Sequence, residues 1–322
     1  MKEKEIGGYF ELEIPKGDLS QIYPGILVNS GRHALEYILR ALGNRVKCIW
    51  LPYYTCDVVL EPIKRLNLNF QFYHINENLE LTEMIELKEG HYLIVNNYFG
   101  IKDRYVSEMS RVYGSRLIVD NAQAWYAHPE ISSNTIYSPR KFFGLPDGGL
   151  VSAMVSLDQE LPEGFSADRC SHLLKRIDSG ATSGYEDFRN NSRQLKEEAL
   201  TRMSALTERL LCQIDFGDVK VKRKGNFITL HQALATTNKL QIPQMTEFEC
   251  PMVYPYLTDD PDLRKRLIEN KVFVATYWPN VFDWAPDNSL EYHLTRYLLP
   301  LPIDQRYDYE DMKRIIELIT KK

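Results

Sequence analysis

Between residues 47 and 155 the chain alternates short apolar runs with segments of helical spacing, and few folds satisfy that order. The runs at 47–51, 69–73, 92–95, 116–119, 135–137 and 150–155 read as strands. Between them, 57–66 and 104–113 read as helices, the second stopped by Gly114. Ahead of this series Ser30 suits a helix N-cap, followed by Ala34, Leu35, Ile38, Leu39 and Leu42 on one face and a stop at Gly43. Such alternation predicts a mostly parallel sheet covered by helices on both faces. The unbroken apolar run Leu117-Ile-Val119 agrees, because a strand buried on both sides has no polar face.

The second half changes character. Residues 187–213 are rich in Lys, Glu, Arg and Leu and read as one long helix bridging two domains. From residue 216 the pattern predicts strands near 220–223, 252–256 and 272–276, with helices near 229–239, 262–269 and 309–319. The expectation is an α/β domain over 1–215 and a smaller α+β domain over 216–322. A length of 322 residues with 44% hydrophobic content supplies a core for both.

Composition excludes several classes of function. No apolar run approaches the roughly 18 residues of a membrane-spanning helix, and the charged start at 1–5 does not read as a signal peptide. A net charge of −5 with both signs interspersed leaves no basic footprint for nucleic acid. Cys48, Cys56, Cys170, Cys212 and Cys250 are scattered without Cys-x-x-Cys spacing. This points to reduced thiols in a cytoplasmic protein, and to neither a metal site nor a disulfide frame.

Two residues carry the chemistry. Asp120 closes an apolar strand, and Lys141 follows 21 residues later, between a polar strand end and Asp147-Gly-Gly149. Pyridoxal phosphate needs such a pair: an amine to hold it as a Schiff base, and an acid to keep its ring nitrogen protonated. Ser138, three residues before Lys141, can reach a phosphate oxygen. Gly31 lets a ligand approach the amino end of the first helix, where free N–H groups attract anions. Singly, each residue has a commoner role as a turn, a cap or a surface lysine. Their order within one strand–helix series favours a cofactor site.

Ser30-Gly-Arg-His-Ala-Leu35, Leu51-Pro-Tyr-Tyr-Thr-Cys56, Asn97-Tyr-Phe-Gly100, Val119-Asp-Asn-Ala-Gln123 and Ser138-x-x-Lys141 with Asp147-Gly-Gly149 occur in the order seen in one enzyme family. Arg202-Met-Ser204 and Arg223-x-x-Asn226 continue the likeness. The sequence resembles the DegT/DnrJ/EryC1/StrS family, pyridoxal-phosphate enzymes of fold type I that are mostly aminotransferases acting on nucleotide-linked keto-sugars. The resemblance implies that Lys141 forms the Schiff base, Asp120 pairs with the pyridine nitrogen and Gln123 lies near the ring hydroxyl. The amides of Gly31, Arg32 and His33, with the Ser138 hydroxyl, would hold the phosphate. Tyr54 would stack on the ring, with Tyr53 and Cys56 as alternatives. It also implies a homodimer with shared active sites, an amino donor such as glutamate or glutamine, and a keto-sugar acceptor.

The chain departs from the family pattern in places. Its serine stands closer to the lysine, the Asp120–Lys141 interval is short, and Ala199 or Leu200 replaces the asparagine that reaches the partner's site. Arg189, Asn190 and Asn191 are candidate substitutes. Arg140 is a candidate to lower the pKa of Lys141. Tyr277 and Trp278, or His293 and Arg296 on one helical face, are candidates to line a substrate cleft. Two further readings stand beside the transferase: a pyridoxal-phosphate lyase or dehydratase, and a homologue that has lost catalysis.

Overall fold

The computed structural model describes residues 6–19, 24–246 and 249–321; the charged start at 1–5 lies outside them. The first half forms β1 (Ile26–Val28), α1 (Gly31–Leu42), β2 (Cys48–Pro52), α2 (Leu60–Arg65), β3 (Asn69–Tyr73), β4 (His91–Asn96), α3 (Asp103–Tyr113), β5 (Leu117–Asn121), β6 (Asn134–Tyr137) and β7 (Gly149–Ser152). These strands make one seven-stranded sheet in the order β1-β7-β6-β5-β4-β2-β3. The pairs from β3 through β6 are parallel, and only β7 runs against its neighbours. Alternate residues feed opposite faces, as the pleat requires. Leu93, Val95, Leu117 and Val119 pack with α3, whereas Ile94 and Ile118 pack with Leu35, Ile38 and Leu39 of α1. Ser30 caps α1 by accepting from the His33 N–H, and Gly43 ends it at a φ of 55°.

The second half forms α4 (Ser171–Ser179), α5 (Tyr185–Glu197), α6 (Ala205–Cys212), α7 (Phe216–Leu234), β8 (Val253–Leu257), α8 (Leu263–Glu269), α9 (Val281–Trp284), α10 (Leu290–Tyr297), β9 (Leu298–Pro302) and α11 (Tyr309–Thr320). Strands β8 and β9 pair antiparallel in a separate small sheet.

Three expectations are corrected. The long helix over 187–213 is two helices, because residues 198–204 run between them to cover the sheet edge. There the Asn29 N–H donates to the Thr201 carbonyl at 3.2 Å, the Met203 N–H donates to the Leu27 carbonyl at 3.2 Å, and Ser204 starts α6 as an N-cap. The strand at 220–223 is part of α7. Its inner face carries Val219, Arg223, Asn226, Phe227, Leu230 and Leu234, a helical stripe with two polar members that a hydrophobic count passes over. The strand at 272–276 is irregular backbone, and β8 takes β9 as its partner instead. Among the described residues, no helix is long and apolar enough to cross a membrane, and no cluster of side chains suits a metal ion.

Candidate active site

Because β4, β5 and β6 are parallel, their carboxyl ends meet on one edge, where open α/β sheets bind ligands. Asp120 sits there opposite Asn96 of β4. Strand β6 ends at Tyr137 and passes through Ser138 into a tight turn, Pro139–Lys141. A small pocket opens between these ends, lined by Thr55, Cys56, Asn96, Asn97, Asp120, Ala122, Gln123, Lys141 and Trp278. Lys141, Asp120 and Gln123, three of the expected residues, therefore share one cavity.

The electrostatics suit a cationic ligand deep in the pocket. Burial pushes the Asp120 carboxyl above its usual range, opposed by the Lys141 charge and by an N–H bond of 2.8 Å from Ala122 to Oδ1. A buried acid in that state gains from any protonated nitrogen brought beside it. Gln123 accepts the Phe99 N–H through Oε1 at 3.0 Å, while its Nε2 is buried with no partner among the described residues. A buried donor left bare is costly, so Gln123 is poised for an acceptor on a ligand. Burial raises the Cys56 thiol to about 11 against the pull of Lys141, so it stays protonated beside the lysine.

The amino end of α1 forms the second part. A Cβ on Gly31 would stand 3.1 Å from the Ser138 Cβ, a tight contact that would push the serine back by a few tenths of an ångström, so the bare glycine lets the helix start and the serine lie close. Ser30 Oγ accepts the His33 N–H at 3.3 Å and lies 2.8 Å from His33 Nδ1; His33 Nε2 lies 3.1 Å from the Glu198 carbonyl. The His33 amide is thus engaged by the cap, against the expectation that it holds a phosphate, and the helix start is itself bridged to Gly148. Burial pushes the His33 imidazole down to about 4. Arg32 pairs with Glu61 at 2.5 Å. The Arg140 Nε is buried with no partner among the described residues, and burial with the nearby Arg32 charge pushes that guanidinium down to about 10.

Other expected residues stand elsewhere. The Tyr54 ring is fully buried, 5.0 Å from the Trp278 ring and 5.7 Å from that of Tyr98, and does not line the pocket. Tyr53 stacks on Phe72. Thr55 and Cys56, in the bend that follows β2, line the site instead, and its aromatic wall is Trp278. Tyr277 stacks beside Trp278 and Phe99 without lining the cavity. His293 and Arg296 share a face of α10 but both lie against Tyr297. Asn191 is buried and donates to the Pro146 carbonyl of its own chain at 2.8 Å; Asn190 is exposed, and Arg189 pairs with Glu186 at 3.7 Å. Asp147 is wholly buried and accepts from the Ser204 N–H at 3.0 Å and from the Thr207 hydroxyl, which makes it a structural anchor for α6. Sequence reasoning did not single out Thr55 or Asn96 as lining residues, although an asparagine ending an apolar strand was a visible signal; the turn at 97–100 was expected to shape the pocket, and Asn97 is among the residues that line it.

No protein-family model matches the sequence, and no curated protein matches it. Solved structures do match. DesV of S. venezuelae, solved with a ketimine intermediate, is 18% identical over 92% of this chain and 83% of its own, with a TM-score of 0.61. The aminotransferase TlmJ from Streptoalloteichus hindustanus is 16% identical over 91% and 84%, at 0.63. A DegT DnrJ EryC1 StrS aminotransferase from Brucella abortus is 14% identical over 93% and 86%, at 0.61. With its parallel sheet and its pocket at the carboxyl edge, the chain shares the α/β fold of sugar aminotransferases of the DegT/DnrJ/EryC1/StrS type.

Proposed function

We propose that this protein is a pyridoxal-phosphate-dependent aminotransferase that moves an amino group from glutamate or glutamine to a nucleotide-linked keto-sugar. The single observation that carries the reading is the convergence of Lys141, Asp120 and Gln123 on one pocket beside the Gly31–Ser138 contact. The residues fit the cofactor: Gln123 Nε2 is a donor with no partner among the described residues and suits a ring oxygen, Asp120 is a carboxyl raised by burial that a protonated ring nitrogen would offset, and the start of α1 lies beside Ser138 for a phosphate. When bound, the cofactor supplies an aldehyde and an electron-withdrawing ring. Lys141 Nζ would anchor it, and its amine, when free, would be the base that moves the proton at the donor's Cα. Asp120 would keep the ring nitrogen protonated, and Trp278 would supply the aromatic wall beside the ring.

We assign residues 1–215 to the cofactor domain and 216–322 to the smaller one, and take the protein to work as a cytoplasmic homodimer. Five free cysteines support the compartment. Exposed Phe165, Leu174, Ile177, Tyr185 and Phe188 on and beside α4 and α5 support the dimer.

The test is spectral. Protein reconstituted with pyridoxal phosphate is expected to show a visible band that glutamate bleaches and 2-oxoglutarate restores. Borohydride reduction followed by peptide mapping should find the pyridoxyl group on Lys141. An adduct on Lys141 with a band that neither glutamate nor glutamine alters would leave a cofactor site without this transamination. No adduct at all would favour the silent homologue, a reading to which the tethering of Asn191 within its own chain adds weight.

A further inference from the structure

The backbone after Lys141 is held from the other side of the molecule. The Phe142 carbonyl, one residue beyond the lysine, accepts two hydrogen bonds: from Arg223 Nη2 of α7 at 3.2 Å and from Gln305 Nε2, in the loop after β9, at 2.9 Å. Arg223 is only 2% exposed. Its Nε donates to Gln305 Oε1 at 3.1 Å, its Nη1 donates to the Met252 carbonyl at 2.9 Å, and its guanidinium lies 4.6 Å from the centre of the Phe142 ring. One planar fork thus ties α7, the start of β8, the loop after β9 and the lysine turn together. Within the turn itself, the Lys141, Phe142 and Phe143 N–H groups all donate back to Ser138 or Pro139. The turn secures its leading half by itself, and its trailing carbonyl depends on Arg223 and Gln305.

We propose that Arg223 and Gln305 are positioning residues that fix Lys141 against the cofactor from the C-terminal part of the chain; this rests on the reading of Lys141 as the cofactor's attachment point. The physical reason is the doubly bonded carbonyl. Both acceptor directions of the Phe142 oxygen are filled by donors that brace each other, so the Phe142–Phe143 peptide, one residue beyond Lys141, cannot rotate without stranding that carbonyl, the buried Arg223 fork and the Gln305 amide. A lysine at 223 would keep the charge but lacks the fork that reaches two carbonyls and a glutamine at once. Displacement by about 1 Å is enough to cost on the order of 100-fold where a reacting group must meet its target.

The experiment uses the full chain, reconstituted with pyridoxal phosphate, and needs no amino acceptor. Wild type, Arg223→Lys, Gln305→Ala and Asn238→Ala are compared for cofactor affinity, for the rate at which the visible band forms, and for the fraction of pyridoxyl label on Lys141 after borohydride. Asn238 is the control: its side chain holds the Pro255 carbonyl and the Leu257 N–H at 2.8 Å each, in the small sheet and away from the lysine turn. Arg223→Lys is expected to slow band formation on the order of 10- to 100-fold and to lower the Lys141 label. Gln305→Ala should act in the same sense by a smaller factor. The double variant should fall short of the product of the two, because both donors serve one carbonyl. Gln305 is partly exposed, so its variant keeps the test open if Arg223→Lys fails to fold. Wild-type rates and labelling in Gln305→Ala, or an equal loss in Asn238→Ala, would overturn the proposal. Failure of wild type itself to label Lys141 would instead overturn the functional reading beneath it.

Discussion

His33 shows how a single side chain can serve the frame of a site and not its chemistry. Its ring bridges the Ser30 cap and the Glu198 carbonyl, joining the anion end of α1 to the segment that covers the sheet edge. The imidazole is neutral in the fold, with its pKa at about 4 against 6.5 in the open chain. A depressed histidine costs nothing at pH 7, where both states are neutral. As pH falls through 6.5 the unfolded chain binds the proton first, so stability is lost progressively down to about pH 4. The shift corresponds to about 3 kcal/mol at most. Urea midpoints of the apo-protein at pH 7.5 and 4.5 should show that loss. A His33→Asn variant, whatever its stability at pH 7.5, should lose about that much less between the two pH values. Equal slopes for both proteins would mean that His33 titrates normally.

At the scale of elements, one tight joint lies where β7 leaves the lysine turn and passes the start of α1. A Cβ on Gly149 would lie 2.3 Å from the Ser30 carbonyl oxygen and 2.9 Å from the Gly31 nitrogen, and backbone atoms cannot step aside as side chains do. Gly149→Ala should therefore destabilise the fold by about 3 kcal/mol or more and weaken cofactor binding with it. Gly225, in the exposed middle of α7, has open space around it, so Gly225→Ala should stabilise by about 0.5–1 kcal/mol. Thermal melts of the two variants should move in opposite directions.

The same scale explains what the sequence could tell. Strand β3 lies where its pattern puts it, at 69–73, and α3 differs from its expected range by one residue, because local alternation and a glycine stop decide both. Helix α7 was hidden because Val219 and Val221 alternate with lysines as a strand would, while the buried positions at 223 and 226 are polar. The break at 198–204 was hidden because its cause is a distant edge strand of three residues. In the site, Lys141, Asp120 and Gln123 were legible since they lie on one strand–turn series. Tyr54 was not separable from Thr55 and Cys56, because the chain bends at 53–55 and the two-residue alternation of a strand does not carry through a bend. Trp278 reaches the pocket from more than 130 residues beyond Lys141, and no local pattern encodes that meeting.

For the whole molecule, the exposed apolar side chains of α4 and α5 set the expectation of a dimer. Ile177 is 81% exposed and Leu174, three residues earlier on the same face, 56%. A two-fold interface over these helices should bury roughly 2,000 Å² or more in total, and an Ile177→Lys variant should raise the dimer dissociation constant at least about tenfold. If the partner contributes to the cofactor site, binding is linked to assembly, and the apo-protein should dissociate at higher concentration than the holo-protein. Sedimentation across a dilution series, with and without cofactor, measures both effects. A fully loaded monomer would show that one chain builds the site by itself.

The contacts that close the pocket also impose an order in time. Asn280 donates to the Thr55 carbonyl at 2.9 Å and accepts the Asp57 N–H, Trp278 forms a wall, and Gln305 holds the carbonyl beside Lys141. On the ribosome, the lysine, its acid and the phosphate turn all emerge more than 130 residues before those partners do. A nascent chain halted near residue 250 would own every charged group of the site and still lack its lid and its rear brace. On the proposed reading, cofactor capture should therefore wait until the segment from Trp278 to Gln305 has been translated.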